Sequence, residues 1–139
     1  MPRANNILVA MDGSDNALRA LKFAASLLQP GGTLRLIHAQ APVPRSRAVS
    51  QALIDEHYAR QESLVVRKAK SYLTRAKIKA ELKVAIGEPA PTIVGYARKN
   101  KCTQIVMGNH GHGALKGLFL GSVAMKVVQL SPLPVTLVK

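Results

Sequence analysis

Short apolar runs alternate with amphipathic helical segments along the whole of this 139-residue chain. A run of four to six apolar residues is typical of a strand that is covered on both faces. We therefore predict five strands, at Ile7–Met11, Leu34–Ala39, Leu82–Ile86, Gln104–Met107 and Pro134–Val138. Five strands separated by four helical segments predict an α/β fold. It is an open five-stranded parallel sheet, doubly wound with helices on both faces in the Rossmann-like manner.

The segments between the predicted strands carry apolar residues at helical spacing. Ser14 is the predicted N-cap of the first helix, which ends at Pro30-Gly31-Gly32. Pro91 suits the first turn of the third helix, and the fourth helix begins at Gly121-Ser122, with Ser122 as a predicted N-cap. The second helix is the longest, and its predicted apolar stripe consists of Leu53, Ile54, Tyr58, Leu64, Val65, Ala69, Tyr72 and Leu73.

The length and composition predict a single domain over residues 1–139. A hydrophobic fraction of 47% with 19% charged residues excludes a disordered chain. No apolar run reaches the length of a membrane span, and the first residues lack a signal-peptide core. The single Cys102 cannot form an internal disulfide, which agrees with a reducing compartment. We therefore expect a cytoplasmic protein.

The charge balance is strongly basic, with 20 Lys and Arg against seven Asp and Glu, for a formal net charge of +13. Residues 41–80 hold nine of the basic residues and three acidic ones. Such a surface attracts polyanions, so one alternative is a basic protein that binds nucleic acid or a membrane surface and has no nucleotide role. A solvated basic helix face is the simpler explanation, because no aromatic residues are interleaved to stack bases. We expect any binding to nucleic acid to be weak.

A glycine-rich segment follows the predicted fourth strand. It reads Met107-Gly108-Asn109-His110-Gly111-His112-Gly113, and Gly121-Ser122 follow after a spacer of nine residues from Gly111. Glycines allow backbone N–H groups to approach a ligand, and a helix that starts at Gly121-Ser122 directs its positive end to the same place. The segment predicts a phosphate cradle, although glycines after a strand can also form a simple turn. It matches neither a Walker loop nor a dinucleotide fingerprint, which would need glycine where Lys116 stands.

Three polar or glycine-containing segments lie at carboxyl ends of predicted strands. They are Asp12-Gly13-Ser14, His38-Ala39 and the glycine segment. Doubly wound sheets bind ligands beyond the carboxyl ends of their strands, at the point where the strand order reverses. If strands one and four are neighbours, Asp12 and Gly108 face each other across that point. This placement strengthens the prediction of a nucleotide site.

These residues resemble the universal stress protein family. The resemblance rests on Val9-Ala10-Met11-Asp12-Gly13-Ser14, on Leu36-Ile37-His38-Ala39, on the Gly-x2-Gly-x9-Gly-Ser spacing from Gly108 to Ser122, and on the closing segment Pro132–Val138. It covers essentially the whole chain. Members with this glycine spacing form the ATP-binding branch of the family, so the resemblance implies that the protein binds ATP or ADP.

The resemblance also implies roles for individual residues. Asp12 would lie by the nucleoside and engage ribose, the Ala39 backbone would bond the adenine edge, and Met107 would pack near the base. The loop and the helix start would hold ribose and phosphates through backbone N–H groups and the Ser122 hydroxyl. The predicted nucleotide-contacting residues are Ala10, Met11, Asp12, Ala39, Met107, Gly108, Gly111, His112, Gly121, Ser122 and Val123.

We further expect a nucleotide-dependent regulatory module of the stress response that acts on a client protein of unknown identity. Mg²⁺ would be held chiefly by phosphate oxygens and water, because residues 89–139 contain no acidic residue and His110 with His112 has no evident third ligand. No residue is placed to activate water, so we predict no catalytic residue and at most slow ATP hydrolysis. An adenylating enzyme would need Ser-Gly-Gly-x-Asp-Ser after strand one, which Met11–Asp15 does not match. The resemblance also implies a homodimer formed through the last strand, which consists of Pro134, Val135, Thr136, Leu137 and Val138.

Overall fold

The computed structural model describes residues 4–110 and 120–139. Within these residues the strands are β1 (Asn6–Ala10), β2 (Thr33–Gln40), β3 (Glu81–Ile86), β4 (Gln104–Gly108) and β5 (Val135–Val138). The helices are α1 (Asp15–Leu27), α2 (Gln51–Ala76), α3 (Pro89–Lys99) and α4 (Ser122–Leu130). The predicted alternation of strands and helices is confirmed.

The strands pair in the order β3-β2-β1-β4-β5, and every pair is parallel. Strand β1 lies between β2 and β4, with Val9 opposite Leu36 on one side and Val106 on the other. Strands β2 and β3 are therefore added on one side of β1, and strands β4 and β5 are added on the other side. This reversal of strand order confirms the predicted α/β fold, and the pairing of β1 with β4 confirms that strands one and four are neighbours.

Helices cover both faces of the sheet because the side chains of each inner strand alternate between two apolar cores. One core lies against α1 and α2 and includes Ile7, Val9, Leu21, Leu36, Val65 and Val106. The other lies against α3 and α4 and includes Leu8, Ile37, Ile93, Ala97, Ile105 and Val127. β1 and β4 are buried on both faces, which explains their uninterrupted apolar sequences.

Side-chain caps define where two of the helices begin. The Ser14 hydroxyl accepts a hydrogen bond from the Ala17 N–H at 3.0 Å, as predicted for α1. The Ser50 hydroxyl accepts one from the Leu53 N–H at 3.2 Å at the start of α2. α2 ends at Ala76, and its C-cap Lys77 has a left-handed φ of 57° and donates its N–H to carbonyls of the last turn.

The predicted apolar stripe of α2 is wrong for Leu53, which is 54% exposed. Ile54, Val65 and Ala69 are the buried residues of this helix. Adjacent residues are separated by 100° around a helix, so Ile54 faces the sheet and Leu53 is turned away from it. Among the described residues, no helix is both long enough and apolar enough to cross a membrane.

The thiol of Cys102 is buried at the entrance to β4, and we predict that it is chemically inert in the folded protein. Burial raises its pKa above the ordinary thiol value of 9.0, an effect that the nearby positive charge of Arg35 partly offsets. A disulfide reagent at pH 8 should therefore label the native protein far more slowly than the unfolded chain. The folded state also holds the thiol proton more tightly, so the contribution of this group to stability should fall as the pH rises from about 9. Rapid labelling of the native protein would contradict the burial.

Candidate functional site

A cleft opens beyond the carboxyl ends of β1 and β4, where the strand order reverses. Its volume is about 170 Å³, and the free space rises to about 760 Å³ when the open solvent at its mouth is included. Its lining residues are Ala10, Met11, Asp12, Ser14, Ala17, Ile37, Ala39, Pro89, Ile93, Met107, Gly108, His110, Gly121, Ser122, Val123 and Ala124. The cleft therefore joins the three segments that the sequence analysis singled out.

One wall of the cleft is apolar. It continues the core between the sheet and α3–α4, with Ile37, Ile93 and Met107 buried in that core and Ala10 and Ala39 packed against it. Small residues at positions 10 and 39 leave the space that larger side chains would fill. An apolar wall of this kind suits a flat aromatic group such as a nucleobase.

The backbone of Ala39 is positioned at the open side of β2. The Met11 N–H bonds the Ile37 carbonyl at 2.8 Å, and the pairing of β1 with β2 ends at Ala10 and Ile37. Successive residues of a strand direct their backbone groups to alternate sides, so Ala39 faces the same side as Ile37. Its N–H and C=O therefore point toward the cleft, beyond the last paired residue of β1. They are placed to bond the edge of a planar ligand.

The loop between β1 and α1 is held by a compact set of hydrogen bonds. The Asp12 carboxylate accepts hydrogen bonds from the Ser14 N–H at 2.9 Å and from the Ser14 hydroxyl at 2.5 Å. Gly13 has a φ of +81°, and a Cβ there would lie 3.1 Å from the Leu64 side chain. The Lys68 ammonium donates to the Gly13 carbonyl at 2.6 Å. Both Ser14 bonds go to Oδ1, so Oδ2 of Asp12 keeps acceptor capacity for a hydroxyl donor at the cleft.

The amino end of α4 supplies backbone donors to the cleft. Gly121 is the N-cap, Ser122 is the first helical residue, and the cap has no side-chain hydrogen bond. The predicted helix start at Gly121-Ser122 is therefore confirmed, whereas the simpler role considered for Ser122, that of N-cap, is wrong because Gly121 is the N-cap. A helix has no internal acceptors for the N–H groups of its first turn. Within the described residues, the N-cap of α4 supplies no side-chain acceptor, unlike the Ser14 and Ser50 caps. These N–H groups and the helix dipole favour an anion.

Gly108 is required by packing within the protein. A Cβ on this residue would overlap the side-chain oxygen of Asn16, which α1 inserts against the end of β4. Asn16 is 4% exposed and bonds both the His110 N–H and the Val138 carbonyl. The glycine spacing predicts that Gly108 gives a ligand access, and the sequence pattern predicts no role for Asn16. A lone Asn in the first turn of a helix gives no local signal of contacts with residues about 100 positions away.

His38 has a structural role beside the cleft. It is buried, and its Nδ1 lies 2.9 Å from the Met11 carbonyl. A carbonyl only accepts, so Nδ1 carries the proton of this bond and fixes the end of β1 against β2. His38 does not line the cleft. No cluster of three or more His, Cys, Asp or Glu residues that could hold a metal ion occurs within residues 4–110 and 120–139.

Nine predicted nucleotide-contacting residues lie together along the cleft: Ala10, Met11, Asp12, Ala39, Met107, Gly108, Gly121, Ser122 and Val123. Gly111 and His112, the other two, lie outside the described residues. Ile37, Pro89 and Ile93 also line the cleft, although the sequence pattern predicts only a strand, a turn and a helix core at these positions. Their contribution to the cleft depends on how α3 packs on the sheet.

The fold and the cleft define a doubly wound α/β protein with a cleft at its switch point. Comparison with known proteins identifies the family: residues 4–139 match the model of the universal stress protein family. The chain is 34% identical to the universal stress protein YxiE of Bacillus subtilis over 97% of its own length and 99% of that protein. The chain belongs to the universal stress protein family.

Solved structures share the fold along the full length of the chain. The universal stress protein UspA from Lactobacillus plantarum superposes with a TM-score of 0.88 at 22% identity, covering 100% of both chains. A universal stress protein solved in complex with cAMP superposes with a TM-score of 0.70 at 27% identity, covering 99% of both chains.

We predict that Gly108→Ala destabilises the protein although it adds only one methyl group. The added Cβ must displace the Asn16 amide and its two hydrogen bonds, which we expect to cost about 1–3 kcal/mol. Gly95→Ala is the matched control, because a Cβ there meets nothing within 4 Å. Gly95 lies inside α3, so alanine should stabilise the protein by about 0.5–1 kcal/mol. Urea unfolding measures both values, and equal effects would contradict the packing role of Gly108.

Proposed function

We propose that this universal stress protein binds an adenine nucleotide, ATP or ADP, in the cleft and acts as a nucleotide-dependent regulatory module. The observation that carries the proposal is the amino end of α4, which has no side-chain cap among the described residues and lies at a cleft with an apolar wall. Donors for phosphate at one end and an apolar slot at the other match the two parts of a nucleotide. The bound cAMP of the related structure supports the adenine assignment.

The proposed pose assigns each group of the nucleotide to a group of the protein. The adenine edge bonds the backbone of Ala39, and its ring lies on the apolar wall. The Asp12 carboxylate accepts a hydrogen bond from a ribose hydroxyl. The phosphates meet the N–H groups of Ser122 and Val123 and the exposed Ser122 hydroxyl. Gly111 and His112 remain predicted contacts from the sequence.

Backbone donors, and not basic side chains, hold the phosphates in this proposal. The described lining of the cleft contains no Lys or Arg, although the chain carries a net charge of +13. Mg²⁺ would be bound through phosphate oxygens and water, with Asp12 as the nearest carboxylate in the lining. Nucleotide affinity should therefore depend only modestly on salt, whereas binding of nucleic acid to the basic helix surfaces should collapse as salt rises.

We predict that filling the apolar wall removes nucleotide binding without unfolding the protein. In Ala39→Phe the ring projects into the cleft and occupies the proposed adenine position. Calorimetry should show ATP affinity reduced by at least about 100-fold, since the base loses its whole contact surface. Position 39 is a cleaner test than Gly121, where a Cβ would lie 3.1 Å from the His110 backbone and shift the loop as well.

The control for this variant is Ala59→Phe, which places the same ring on the exposed surface of α2. It should bind ATP like the parent protein. Unchanged ATP affinity in folded Ala39→Phe would contradict the adenine position. Absence of ATP and ADP binding to the parent protein, with salt-resistant binding of nucleic acid, would favour the basic polyanion-binding alternative.

We also propose a homodimer in which β5 pairs with β5 of a second copy. β5 is an edge strand, and its neighbour α4 exposes Met125, Val128 and Leu130 beside the exposed Leu137. The bonds from the Ile105 N–H to Pro134 and from the Asn109 N–H to Val138 set the ladder with β4. They leave the backbone groups of Val135 and Leu137 directed away from β4, toward the open edge. A two-fold axis would make the new pair antiparallel.

Leu137→Pro should separate the two copies. Proline removes the outward N–H of residue 137 and leaves the ladder with β4 intact, as edge strands tolerate. Leu137→Ala is the matched control, because it shortens the side chain and keeps the N–H. Sedimentation at micromolar concentration should show a dimer for the parent and the alanine variant and a monomer for the proline variant. A proline variant that remains a dimer would place the interface elsewhere.

Hydrolysis of bound ATP should be slow. Asp12 and His110 are the only titratable side chains in the described lining of the cleft, and one Asp12 oxygen is already bonded to Ser14. We predict steady-state turnover far below the ~10 s⁻¹ that is typical of dedicated enzymes. A coupled phosphate-release assay on protein freed of contaminating ATPases measures it. Turnover near that typical value, abolished in Ala39→Phe, would make the protein an enzyme.

A further inference from the structure

Asn16 joins the proposed phosphate site to the edge strand of the sheet. It lies in the first turn of α1, is 4% exposed, and lines neither the cleft nor the open edge of β5. Its side-chain oxygen accepts a hydrogen bond from the His110 N–H at 3.1 Å, and its side-chain nitrogen donates to the Val138 carbonyl at 3.0 Å. One buried side chain thus contacts the glycine segment and the last strand.

The chemistry of the two contacts specifies an amide at this position. A backbone N–H only donates and a backbone carbonyl only accepts, so the side chain must offer one acceptor and one donor in opposite directions. These partners also fix the orientation of the amide. A carboxylate at position 16 would satisfy His110 and face the Val138 carbonyl without a proton to donate. An aliphatic side chain would leave both buried groups unsatisfied, at the cost of their desolvation.

A second set of backbone bonds runs in parallel with Asn16. The Val138 carbonyl also accepts from the Asn109 N–H at 2.8 Å, and the Asn109 carbonyl accepts from the Gly121 N–H at 2.7 Å. Gly121 is the N-cap of α4. The Val138 carbonyl, which accepts the Asn16 hydrogen bond, therefore also fixes the amino end of α4 through Asn109. Both connections meet at Val138, in the strand proposed to form the dimer.

We propose that Asn16 is a positioning residue that couples the nucleotide site to the β5 edge. The proposal rests on the proposed function. Pairing of β5 with a second copy restrains Val138. Through its hydrogen bonds with Asn16 and Asn109, Val138 in turn holds His110 and Gly121 in the positions proposed for phosphate binding. Nucleotide binding restrains the same atoms from the other end. Because coupling is reciprocal, nucleotide strengthens the dimer by the same factor by which the dimer strengthens nucleotide binding.

The test compares Asn16→Ala with Asn16→Asp and with the control Arg19→Ala. Arg19 lies one turn further along α1 and donates to the Lys139 carbonyl at 3.0 Å, and it has no hydrogen bond to the described residues of the glycine segment. For each protein we would measure ATP affinity by calorimetry, and dimer dissociation by sedimentation with and without ATP. Urea unfolding supplies the global stability, so that affinity is compared only among folded proteins.

In the parent and in Arg19→Ala, we expect ATP to strengthen the dimer by at least about fivefold, the lower end of ordinary coupling between sites. In Asn16→Ala, we expect ATP affinity to fall by roughly tenfold, the equivalent of one to two lost net hydrogen bonds. In this variant ATP should have almost no effect on dimer dissociation. Asn16→Asp keeps the acceptor for His110 and should retain more ATP affinity than Asn16→Ala while still losing the coupling.

Hydrogen exchange of the nucleotide-free protein separates failure of this proposal from failure of the proposed function. Asn16→Ala should speed exchange of the His110 and Gly121 amides by more than it speeds exchange of the core amide of Leu8, which reports the change in global stability. If the parent binds no nucleotide, the proposed function fails, and this exchange pattern still tests whether Asn16 positions the loop. Unaltered exchange at His110 and Gly121, or full coupling in a folded Asn16→Ala protein, would overturn the proposal.

Discussion

The pairing of β1 with β4 is the interaction on which the rest of the structure depends. β2 and β3 extend the sheet from one side of β1, whereas β4 and β5 extend it from the other. Helices that follow β1 and β4 therefore leave the sheet on opposite faces, and the cleft opens between them. The three central residues of each strand are apolar and buried, so burial stabilises this pair more than any polar contact does. The polar groups of the site therefore lie at the ends of two strands that are fixed by apolar packing.

Backbone groups supply much of the proposed binding chemistry. The open side of Ala39 and the first turn of α4 present N–H and C=O groups whose directions are fixed by β2 and by the helix itself. Such groups carry no net charge and need no flexible side chain to be ordered before they bind. The basic residues of the helix surfaces are a separate feature, because none of them lies in the described lining of the cleft.

Much of this arrangement could be predicted from the sequence because it follows from local patterns. Apolar runs located the strands, Ser14 marked the start of α1, and the spacing of Gly108 and Gly121 marked the two sides of the cleft. Other features depend on distant residues. The need for glycine at position 108 comes from Asn16, and Asn16 in turn contacts His110 and Val138. A local sequence pattern carries no information about contacts between residues so far apart in the chain, so the structural roles of Gly108 and Asn16 could not be predicted.

The position of bound nucleotide is the central claim, and amide chemical shifts test it most directly. Uniformly ¹⁵N-labelled protein would be titrated with ATP and Mg²⁺ while the backbone amides are followed by NMR. The account predicts the largest shifts at Ala39, Ser122 and Val123, with small shifts along the exposed face of α2. Shifts concentrated on the basic residues of α2, or no shifts at the start of α4 at saturating ATP, would contradict it.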